Sequence, residues 1–467
     1  MTCRLLLLLC VGIFGWLSPS VSAEPATASR PNIIFILADD LGYGDLGCYG
    51  QKQILTPRLD LMAEQGMRFT DCYAGSTVCA PSRCCLLTGF HTGHAWVRGN
   101  RNRKPLRPED VTVAEVLKQA GYATGAIGKW ALGYVGDSGF PGRQGFDSWF
   151  GYLDQSHAHN YYPVFLWRND QKVPLRNKVQ HVIGGVNCYP RGMATERVDY
   201  SHDLFTDEAL RFVGEHAEEP FFLYLAYTIP HANNEAGRLG KAAPPYRGME
   251  VPDYGPYADK DWPAPQKGHA AMISRMDADV GRLLDLLKTL KIDEKTIVFF
   301  SSDNGPHREG GADPAFFGSS GGLRGFKRSL HDGGIRVPMI VRWPGHVPAG
   351  TTSDLPCAFW DFLPTAAELA GSAAPSGLDG ISLLPMLLGK SGQKKHDFLY
   401  WEFRDQGSSQ AVRTGRWKSL VKKAGQPLEL YDLATDPAEQ HNVAAEHPDV
   451  VARIEKYLKT ARSEPAG

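Results

Sequence analysis

Short apolar runs that end in polar residues recur along the chain. The clearest runs cover residues 32–37, 122–127, 221–226 and 296–300, and the polar residues that follow them are Asp39 with Asp40, Lys129, His231, and Asp303 with Asn304. A run of this length without alternating polar positions is typical of a strand that is buried on both faces, as in a parallel sheet. The sequence therefore predicts several strands of this kind.

Segments with helical periodicity separate these runs. They cover residues 111–120, 202–216 and 269–290, and the last of them carries its apolar side chains on one face. Strands that alternate with helices predict an α/β fold with a large mixed, mostly parallel sheet sandwiched by helices. Because ligands of such sheets bind beyond the carboxyl ends of the strands, we expect the polar residues that follow the runs to share one site.

The pattern changes after about Asp379. Residues 398–403, 410–414, 417–420 and 428–432 are typical of short antiparallel strands, and residues 448–462 are typical of a closing helix. The sequence thus predicts a catalytic α/β domain over residues 24–379 and a small C-terminal subdomain, an antiparallel sheet plus a helix, over residues 380–467. Residues 133–191 and 233–265 have little periodicity and are expected to be loops that shape the substrate entrance.

The first 23 residues have the pattern of a signal peptide. Arg4 precedes an apolar stretch over residues 5–17, and small residues at 21–23 form a cleavage site. This stretch is too short to span a bilayer comfortably, so no stable membrane insertion is expected. The sequence predicts an exported protein, either periplasmic or secreted.

Charge and cysteine content narrow the expected partners. Lys plus Arg number 50 against 51 for Asp plus Glu, so no overall field attracts nucleic acid, which we exclude as a partner. Nine cysteines occur, and seven remain once Cys3 and Cys10 are removed with the signal peptide. Because seven is odd, at least one thiol is unpaired, and the sequence leaves any disulfide pairing open.

The segment 79–89 reads C-A-P-S-R-C-C-L-L-T-G and is the most specific signal in the chain. Pro81 suits a first helical turn and Gly89 suits a helix end, so Cys79 is expected at a helix N-terminus, where free N–H groups and the helix dipole favour an anion. These facts alone fit a reactive thiol, and they also fit a buried structural cysteine.

The same segment resembles the signature of the type I sulfatase (arylsulfatase) family of the alkaline phosphatase superfamily. Further motifs follow in the order of that family: P-N-I at 31–33, A-D-D-L-G at 38–42, G-K-W at 128–130, P-H at 230–231, S-D-N-G at 302–305, G-G-I-R-V-P at 333–338 and E-L-Y-D-L at 429–433. The resemblance covers almost all of residues 31–465. It implies hydrolysis of a sulfate ester to an alcohol and inorganic sulfate.

The resemblance implies two cofactor features. Cys79 would be converted to formylglycine (3-oxoalanine) by a formylglycine-generating maturation enzyme. One Ca²⁺ would be held by residue 79 together with Asp39, Asp40, Asp303 and Asn304. Oxygen ligands of this kind suit Ca²⁺ or Mg²⁺ rather than zinc, and the resemblance favours calcium.

Four cationic residues complete the site that the resemblance implies. Arg83 would orient the modified side chain, and Lys129, His231 and Lys327 would face the sulfate group of the substrate. Either His231 or Lys327 could protonate the leaving alcohol.

One position departs from the family pattern. Many relatives have a histidine two residues after the lysine, where this chain has Ala131. A methyl group cannot hydrogen-bond a formylglycine hydroxyl, so that role is vacant or has moved. His157 and His159 are near in sequence, and we take His157 as the hypothesis.

Two other functions fit parts of the pattern. A phosphatase or phosphonate monoester hydrolase of the same superfamily also needs a metal, a nucleophile and cations. A non-catalytic binder of sulfated glycans would result if Cys79 stayed a thiol. For a sulfatase, the expected substrate is a sulfated carbohydrate or an aryl sulfate, against which the aromatic residues of the predicted loops would stack; these are Tyr152, Tyr161, Tyr162, Trp167, Tyr246 and Trp262.

Overall fold

The computed structural model describes residues 30–101, 103–181, 191–236 and 248–463, and within these ranges a ten-stranded sheet forms the centre of the molecule. The predicted signal peptide lies outside the described residues. The strands are β1 (Asn32–Ala38), β2 (Met67–Phe69), β3 (Cys72–Tyr73), β4 (Ala123–Lys129), β5 (Ser148–Tyr152), β6 (Phe165–Arg168), β7 (Gln171–Pro174), β8 (Lys178–His181), β9 (Gly192–Glu196), β10 (Phe221–Ala226), β11 (Thr296–Ser302), β12 (Met339–Arg342), β13 (Thr351–Ser353), β14 (Cys357–Ala358), β15 (Leu399–Phe403), β16 (Ser409–Thr414), β17 (Trp417–Val421) and β18 (Glu429–Asp432).

The central strands of the large sheet are parallel. Across the sheet the order is β13-β2-β12-β11-β1-β10-β4-β5-β6-β7, and β11, β1, β10, β4 and β5 are parallel neighbours. Strands β2, β12, β6 and β7 add antiparallel pairs towards the edges. The predicted mixed, mostly parallel sheet is thus confirmed, and the carboxyl ends of β1, β4, β10 and β11 lie side by side.

Helices cover both faces of this sheet. They are α1 (Pro57–Glu64), α2 (Cys79–Thr88), α3 (Val113–Gln119), α4 (Ser201–Glu215), α5 (Ala264–Thr289), α6 (Pro314–Phe317), α7 (Asp332–Ile335), α8 (Phe362–Leu369), α9 (Leu384–Leu387) and α10 (Pro448–Thr460). Among the described residues, none of these helices is both long and apolar enough to cross a membrane. Helix α5 begins before the predicted segment because Pro265 occupies its first turn, where a missing N–H has no cost.

Strand β1 shows why the apolar runs lack alternation. Ile33, Phe35 and Leu37 belong to the core shared with α2, α3 and α8, whereas Ile34 and Ile36 belong to the core shared with α1, α4 and α5. Every residue of β1 is buried. Since burying a large aliphatic side chain contributes about 1.5–3 kcal/mol, both faces of the strand stabilise the sheet.

The C-terminal strands form a separate small sheet. Strands β15, β16, β17 and β18 pair antiparallel in sequence order, and Val450 and Ile454 of α10 pack against this sheet. The predicted antiparallel sheet with a closing helix is confirmed, while the boundary at residue 379 stays a prediction. The small sheet is joined to helix α7 by a buried ion pair of 2.5 Å between Lys418 and Asp332.

The prediction of a long loop over residues 133–191 was wrong. This segment contains β5, β6, β7 and β8, and the first three of these strands extend the large sheet at one edge. Strand β7 was missed because a short edge strand buries too few side chains to give an apolar run. Strand β5 is mostly buried, but its five residues are too few to stand out as a run.

Candidate active site

Cys79 is the first residue of α2 and is fully buried. Val78 before it has an extended backbone, and Gly89 after the helix has a φ of +75°, which a residue without a side chain adopts without strain. The amide of Ala80 donates to Asn100 Oδ1 at 3.1 Å. The predicted helix boundaries are confirmed, and the side chain of residue 79 lies at the helix N-terminus.

The two aspartates that follow β1 face different partners. Asp39 Oδ1 accepts a hydrogen bond from Cys79 Sγ at 3.4 Å, and Asp39 Oδ2 accepts one from Lys129 Nζ at 2.6 Å. Asp40 has a φ of +66°, a left-handed conformation that changes the direction of the chain after β1. Its Oδ2 accepts a hydrogen bond from Lys327 Nζ at 2.7 Å. One strand end therefore supplies two carboxylates to the site.

The end of β11 supplies a third carboxylate and an amide. Asp303 Oδ2 accepts two hydrogen bonds from Arg83, from Nε at 3.0 Å and from Nη2 at 2.7 Å, while Arg83 Nη1 donates to the carbonyl of Lys129 at 2.7 Å. Asn304 Nδ2 donates to Asp40 Oδ1 at 2.6 Å. Arg83 thereby joins α2 to the ends of β4 and β11.

His231 lies after the end of β10 and contacts Lys327. Its Nδ1 is 2.6 Å from the carbonyl of Ala232, to which it donates, so Nε2 accepts from Lys327 Nζ at 2.9 Å. The structure thus brings together the residues that the sequence analysis singled out for catalysis or metal binding, which are Asp39, Asp40, Cys79, Arg83, Lys129, His231, Asp303, Asn304 and Lys327.

Burial and charge set the protonation of the site. Burial raises the pKa of the Cys79 thiol, and the nearby Asp39 carboxylate raises it further, so an unmodified Cys79 is a neutral thiol. Burial also opposes ionisation of Asp39, but Lys129, His231 and Arg83 outweigh it and hold the pKa of Asp39 well below its usual value. Burial and Asp39 raise the pKa of Asp303 to about 7. The carboxylates of Asp39 and Asp303 therefore repel each other, and a bound cation would reduce this repulsion.

The donor set fits a hard divalent cation. Ligand atoms of Asp39, Asp40, Cys79 and His231 lie within 4.8 Å of one another. Asn304 Oδ1 is buried and has no hydrogen-bond partner among the residues that the structure describes. A buried carbonyl oxygen without a donor is costly unless something binds it. Carboxylate and amide oxygens in this number suit Ca²⁺ or Mg²⁺.

The hypothesis that His157 reaches the site does not agree with its position. Its ring packs against Tyr152 and Phe165, with centroid distances of 5.0 and 4.8 Å. His159, two residues later, stacks on His231 instead, and its Nδ1 is 2.9 Å from Glu235 Oε2. The short turn over these residues points alternate rings in different directions, which the sequence does not reveal, and no motif distinguished Glu235.

The prediction of an aromatic platform was wrong for four of its six residues, and a fifth, the half-buried Trp262, packs against Tyr257 and Phe317. Tyr152, Tyr161, Tyr162 and Trp167 are buried in the cores of the large sheet, where their rings pack against other apolar side chains. Tyr246 lies outside the described residues. Large aromatic side chains have so much apolar area that most of them are buried in the core of a protein.

A cavity of about 400 Å³ opens over His231 and Lys327. Its walls are mostly polar and come from separate parts of the chain, and the lining residues are Val78, Asn100, Arg101, Arg103, Gln155, Ser156, His159, Asn234, Arg328, Phe403, Asp405 and Gln406. The last three belong to β15 and to the turn that follows it. Sequence analysis expected residues 133–191 and 233–265 to shape the substrate entrance, and Gln155, Ser156, His159 and Asn234 come from these segments. It did not predict the other walls, whose residues reach the cavity through tertiary packing.

Comparisons with known proteins agree on one family. The chain matches the family model described as Sulfatase over residues 31–372 and the model described as N-sulphoglucosamine sulphohydrolase, C-terminal, over residues 323–464. Arylsulfatase A of Homo sapiens is 34% identical over 490 residues, covering 95% of this chain and 90% of that protein. An N-acetylgalactosamine-6-O-sulfatase of Bacteroides thetaiotaomicron is 31% identical over 514 residues, covering 93% of this chain and 94% of that protein.

Solved structures show the same architecture. The crystal structure of Ps i-CgsB in complex with k-i-k-neocarrahexaose has a TM-score of 0.76 and 28% identity, covering 94% of each chain. The phosphonate monoester hydrolase of Agrobacterium radiobacter has a TM-score of 0.64 and 23% identity, covering 92% of this chain and 95% of that chain. The second likeness shows a shared fold alone.

Proposed function

Since the chain belongs to the sulfatase family and is a sulfuric ester hydrolase, we propose that it releases sulfate from a sulfated carbohydrate by means of a formylglycine made from Cys79 and one bound Ca²⁺. The observation that carries the proposal is the position of Cys79. Its side chain lies at a helix N-terminus, 3.4 Å from an Asp39 carboxylate oxygen, beside two lysines and a histidine. A nucleophile, acidic metal ligands and anion-binding cations therefore meet in one buried place.

Asp39, Asp40, Asp303 and Asn304 would hold the calcium ion together with residue 79. When bound, calcium would withdraw charge from a sulfate oxygen and lower the pKa of a hydroxyl at position 79. The free Asn304 oxygen and the mutual repulsion of the carboxylates support this assignment. Arg83 keeps Asp303 oriented through its two hydrogen bonds.

Residue 79 supplies the nucleophile in this proposal. A hydrated aldehyde has two hydroxyls on one carbon, so one can attack sulfur and the other can lose its proton as the carbonyl reforms and sulfate leaves. Asp39 is placed to take a proton from the side chain at this position, since its Oδ1 already accepts from Cys79. Lys129, Lys327 and His231 would bind sulfate oxygens and stabilise the charge that builds on the leaving oxygen.

His159 would take the role that Ala131 leaves vacant. Glu235 accepts from His159 Nδ1, which fixes the ring and leaves Nε2 on the cavity side. Burial opposes ionisation of Glu235, but His159 outweighs it and lowers the pKa of Glu235, so the pair keeps its carboxylate form. Glu235 acts here as a positioning residue.

Two features support a carbohydrate as the substrate. The cavity walls carry amide, hydroxyl and charged groups with few apolar ones, which suits sugar hydroxyls better than an aryl ring. Relatives named for sulfated sugars, such as the N-acetylgalactosamine-6-O-sulfatase, resemble the chain over nearly its whole length. Export and contact with a formylglycine-generating enzyme complete the proposal, with the signal peptide over residues 1–23 as support.

The decisive test is the mass of the tryptic peptide over residues 69–83, which contains Cys79. Protein made together with a formylglycine-generating enzyme should yield a peptide lighter than the thiol form by roughly the mass of one water. The same protein should hydrolyse an aryl sulfate faster than the matching aryl phosphate. An unmodified peptide with no turnover would indicate a non-catalytic glycan binder, and preference for the phosphate would indicate a phosphatase.

A further inference from the structure

The turn between β15 and β16 forms one wall of the active-site cavity. Phe403, Asp405 and Gln406 line the cavity. Strand β15 is fixed against the large domain, since Trp401 Nε1 donates to the carbonyl of Ala74 at 2.9 Å and the amide of Glu402 donates to Thr92 Oγ1 at 2.7 Å. The small C-terminal sheet thus presents this turn to the substrate from a rigid position.

Asp405 is connected to the nucleophile helix by two hydrogen bonds in series. The amide of Asn100 donates to Asp405 Oδ2 at 2.8 Å, and Asn100 Oδ1 accepts from the amide of Ala80 at 3.1 Å. Ala80 directly follows the reactive position. The Asp405 carboxylate is therefore held relative to residue 79 by two hydrogen bonds, each from a backbone amide to a side-chain oxygen.

One oxygen of the Asp405 carboxylate is available to a ligand. Within the described ranges, Oδ2 accepts the Asn100 amide, whereas no donor to Oδ1 is recorded. An ionised carboxylate is only an acceptor, so the groups that suit it are hydroxyls and cations. Anions such as sulfate do not suit this carboxylate and are attracted to the cationic side chains that also line the cavity, which are Arg101, Arg103, Lys327 and Arg328.

A cavity that offers both cations and an acceptor carboxylate suits a sugar sulfate. The sulfate would lie against Lys327 and His231, and ring hydroxyls would point towards the turn. A phenyl sulfate has no ring hydroxyl that could reach the Asp405 carboxylate. Because the Asp405 carboxylate is already held in place, little conformational entropy is lost when a ligand binds to it. It therefore contributes to affinity and favours substrates that have hydrogen-bond donors.

We propose that Asp405 is a specificity-determining residue that accepts hydrogen bonds from hydroxyls of the sugar ring that carries the sulfate ester. This inference rests on the proposed sulfatase function and adds the substrate group that the C-terminal subdomain recognises. Asp405 does not take part in the chemical step.

The test compares Asp405→Asn with the unaltered enzyme on phenolic sulfate and on a panel of sulfated monosaccharides. Asparagine can still accept the Asn100 amide, so the turn keeps its anchor while the carboxylate is lost. Because a hydrogen bond to a charged group is strong, kcat/KM for the preferred sugar should fall about tenfold more than kcat/KM for phenolic sulfate, mainly through a higher KM.

Two further variants separate recognition from support. Asn100→Ala keeps the carboxylate and removes the bond to Ala80, so it should lower kcat for both substrate classes. Glu446→Gln alters an exposed acidic residue of the same subdomain outside the cavity, and both activities should stay as they are.

The outcomes distinguish this inference from the proposed function. Equal losses on sugar and phenolic sulfate in Asp405→Asn, or no rise in KM for any sulfated sugar, would overturn the role of Asp405. Turnover of phenolic sulfate without turnover of any sugar sulfate would also overturn it while sulfate ester hydrolysis stands. Absence of all sulfatase activity in protein with residue 79 converted would overturn the proposed function, and the inference with it.

Discussion

The ring of His159 stacks on the ring of His231, with 4.8 Å between centroids and 13° between the ring planes. His231 in turn accepts a hydrogen bond from Lys327 Nζ, so the stacked pair extends the site beyond Lys327. Glu235 is bonded to His159 Nδ1. This position supports His159 as the proposed replacement for the histidine that many relatives carry where this chain has Ala131.

His159→Ala should lower kcat by about a hundredfold, which is typical for the loss of a residue that handles protons or orients the reacting groups. Steady-state kinetics on an aryl sulfate measures this. His157→Phe provides the matched control, because its neighbours Tyr152 and Phe165 are aromatic and accept another ring. A larger loss of kcat in the His157 variant than in the His159 variant would contradict the assignment.

Arg83→Lys should abolish most activity and lower the free energy of unfolding by about 3 kcal/mol. Arg83 is fully buried, and a lysine cannot reproduce its two bonds to Asp303 together with its bond to the Lys129 carbonyl. Denaturant unfolding and kinetics are the measurements. Arg275→Lys is the control, since Arg275 makes the same paired contact with Asp203 in a half-exposed setting, where about 1 kcal/mol or less is expected.

Calcium should stabilise the protein against heat in proportion to its binding. A ligand present at a hundred times its Kd adds about 2.7 kcal/mol, so the Tm should rise on titration with calcium and return to the starting value with a chelator. Asp40→Asn should weaken this response at least tenfold, because it removes one buried carboxylate of the ligand set. Asp207→Asn, at an exposed ion pair with Arg282, should respond like the unaltered protein. If calcium does not change the Tm of the unaltered protein or of any variant, the metal assignment is refuted.

His91 should make the protein less stable in mild acid. Burial lowers the pKa of His91 to about 4, although Asp379 opposes this shift. The unfolded chain then binds more protons than the folded chain between about pH 6.5 and pH 4, so stability falls as the pH falls through this window, by about 3 kcal/mol in all. Unfolding at pH 7 and at pH 4.5 should show a smaller difference for His91→Asn.

His396 is the matched control because its sign is opposite. Burial favours its neutral form, but Asp361, 2.8 Å away, outweighs burial and raises the pKa of His396. Its contribution to stability is present below the unfolded pKa and is lost as the pH rises through the folded value. His396→Asn should therefore cost more stability at pH 5 than at pH 8, and an effect of the same sign as His91→Asn would contradict both assignments.

The parts of the site that follow buried strands were predictable from sequence. Asp39 and Asp303 each come directly after a run that the sheet buries on both faces, and parallel pairing of β1 with β11 then forces them together. The pattern of apolar residues thus indicates that the proposed metal ligands lie close together. Cys79 was predictable for a different reason, since Gly89 and Pro81 delimit its helix.

The walls of the cavity were not predictable in the same way. Asn100 and Asp405 lie in irregular segments, and they meet only because separate parts of the chain pack together. Tyr161 illustrates the reverse error, because an aromatic residue in an irregular segment was expected to face the substrate and is fully buried instead. The periodicity of apolar residues predicts which strands and helices form each layer. It does not predict which residues of irregular segments line the cavity between those layers.

The contact between Lys418 and Asp332 affects how the chain can be truncated. Lys418 belongs to the small sheet, and both side chains are fully buried. Asp332 also accepts a hydrogen bond from Tyr73 Oη at 3.0 Å, six residues before Cys79. A fragment that stops at residue 379 would leave the buried Asp332 carboxylate without its main counterion. Truncation at this position is therefore expected to destabilise the segment that leads to the reactive residue.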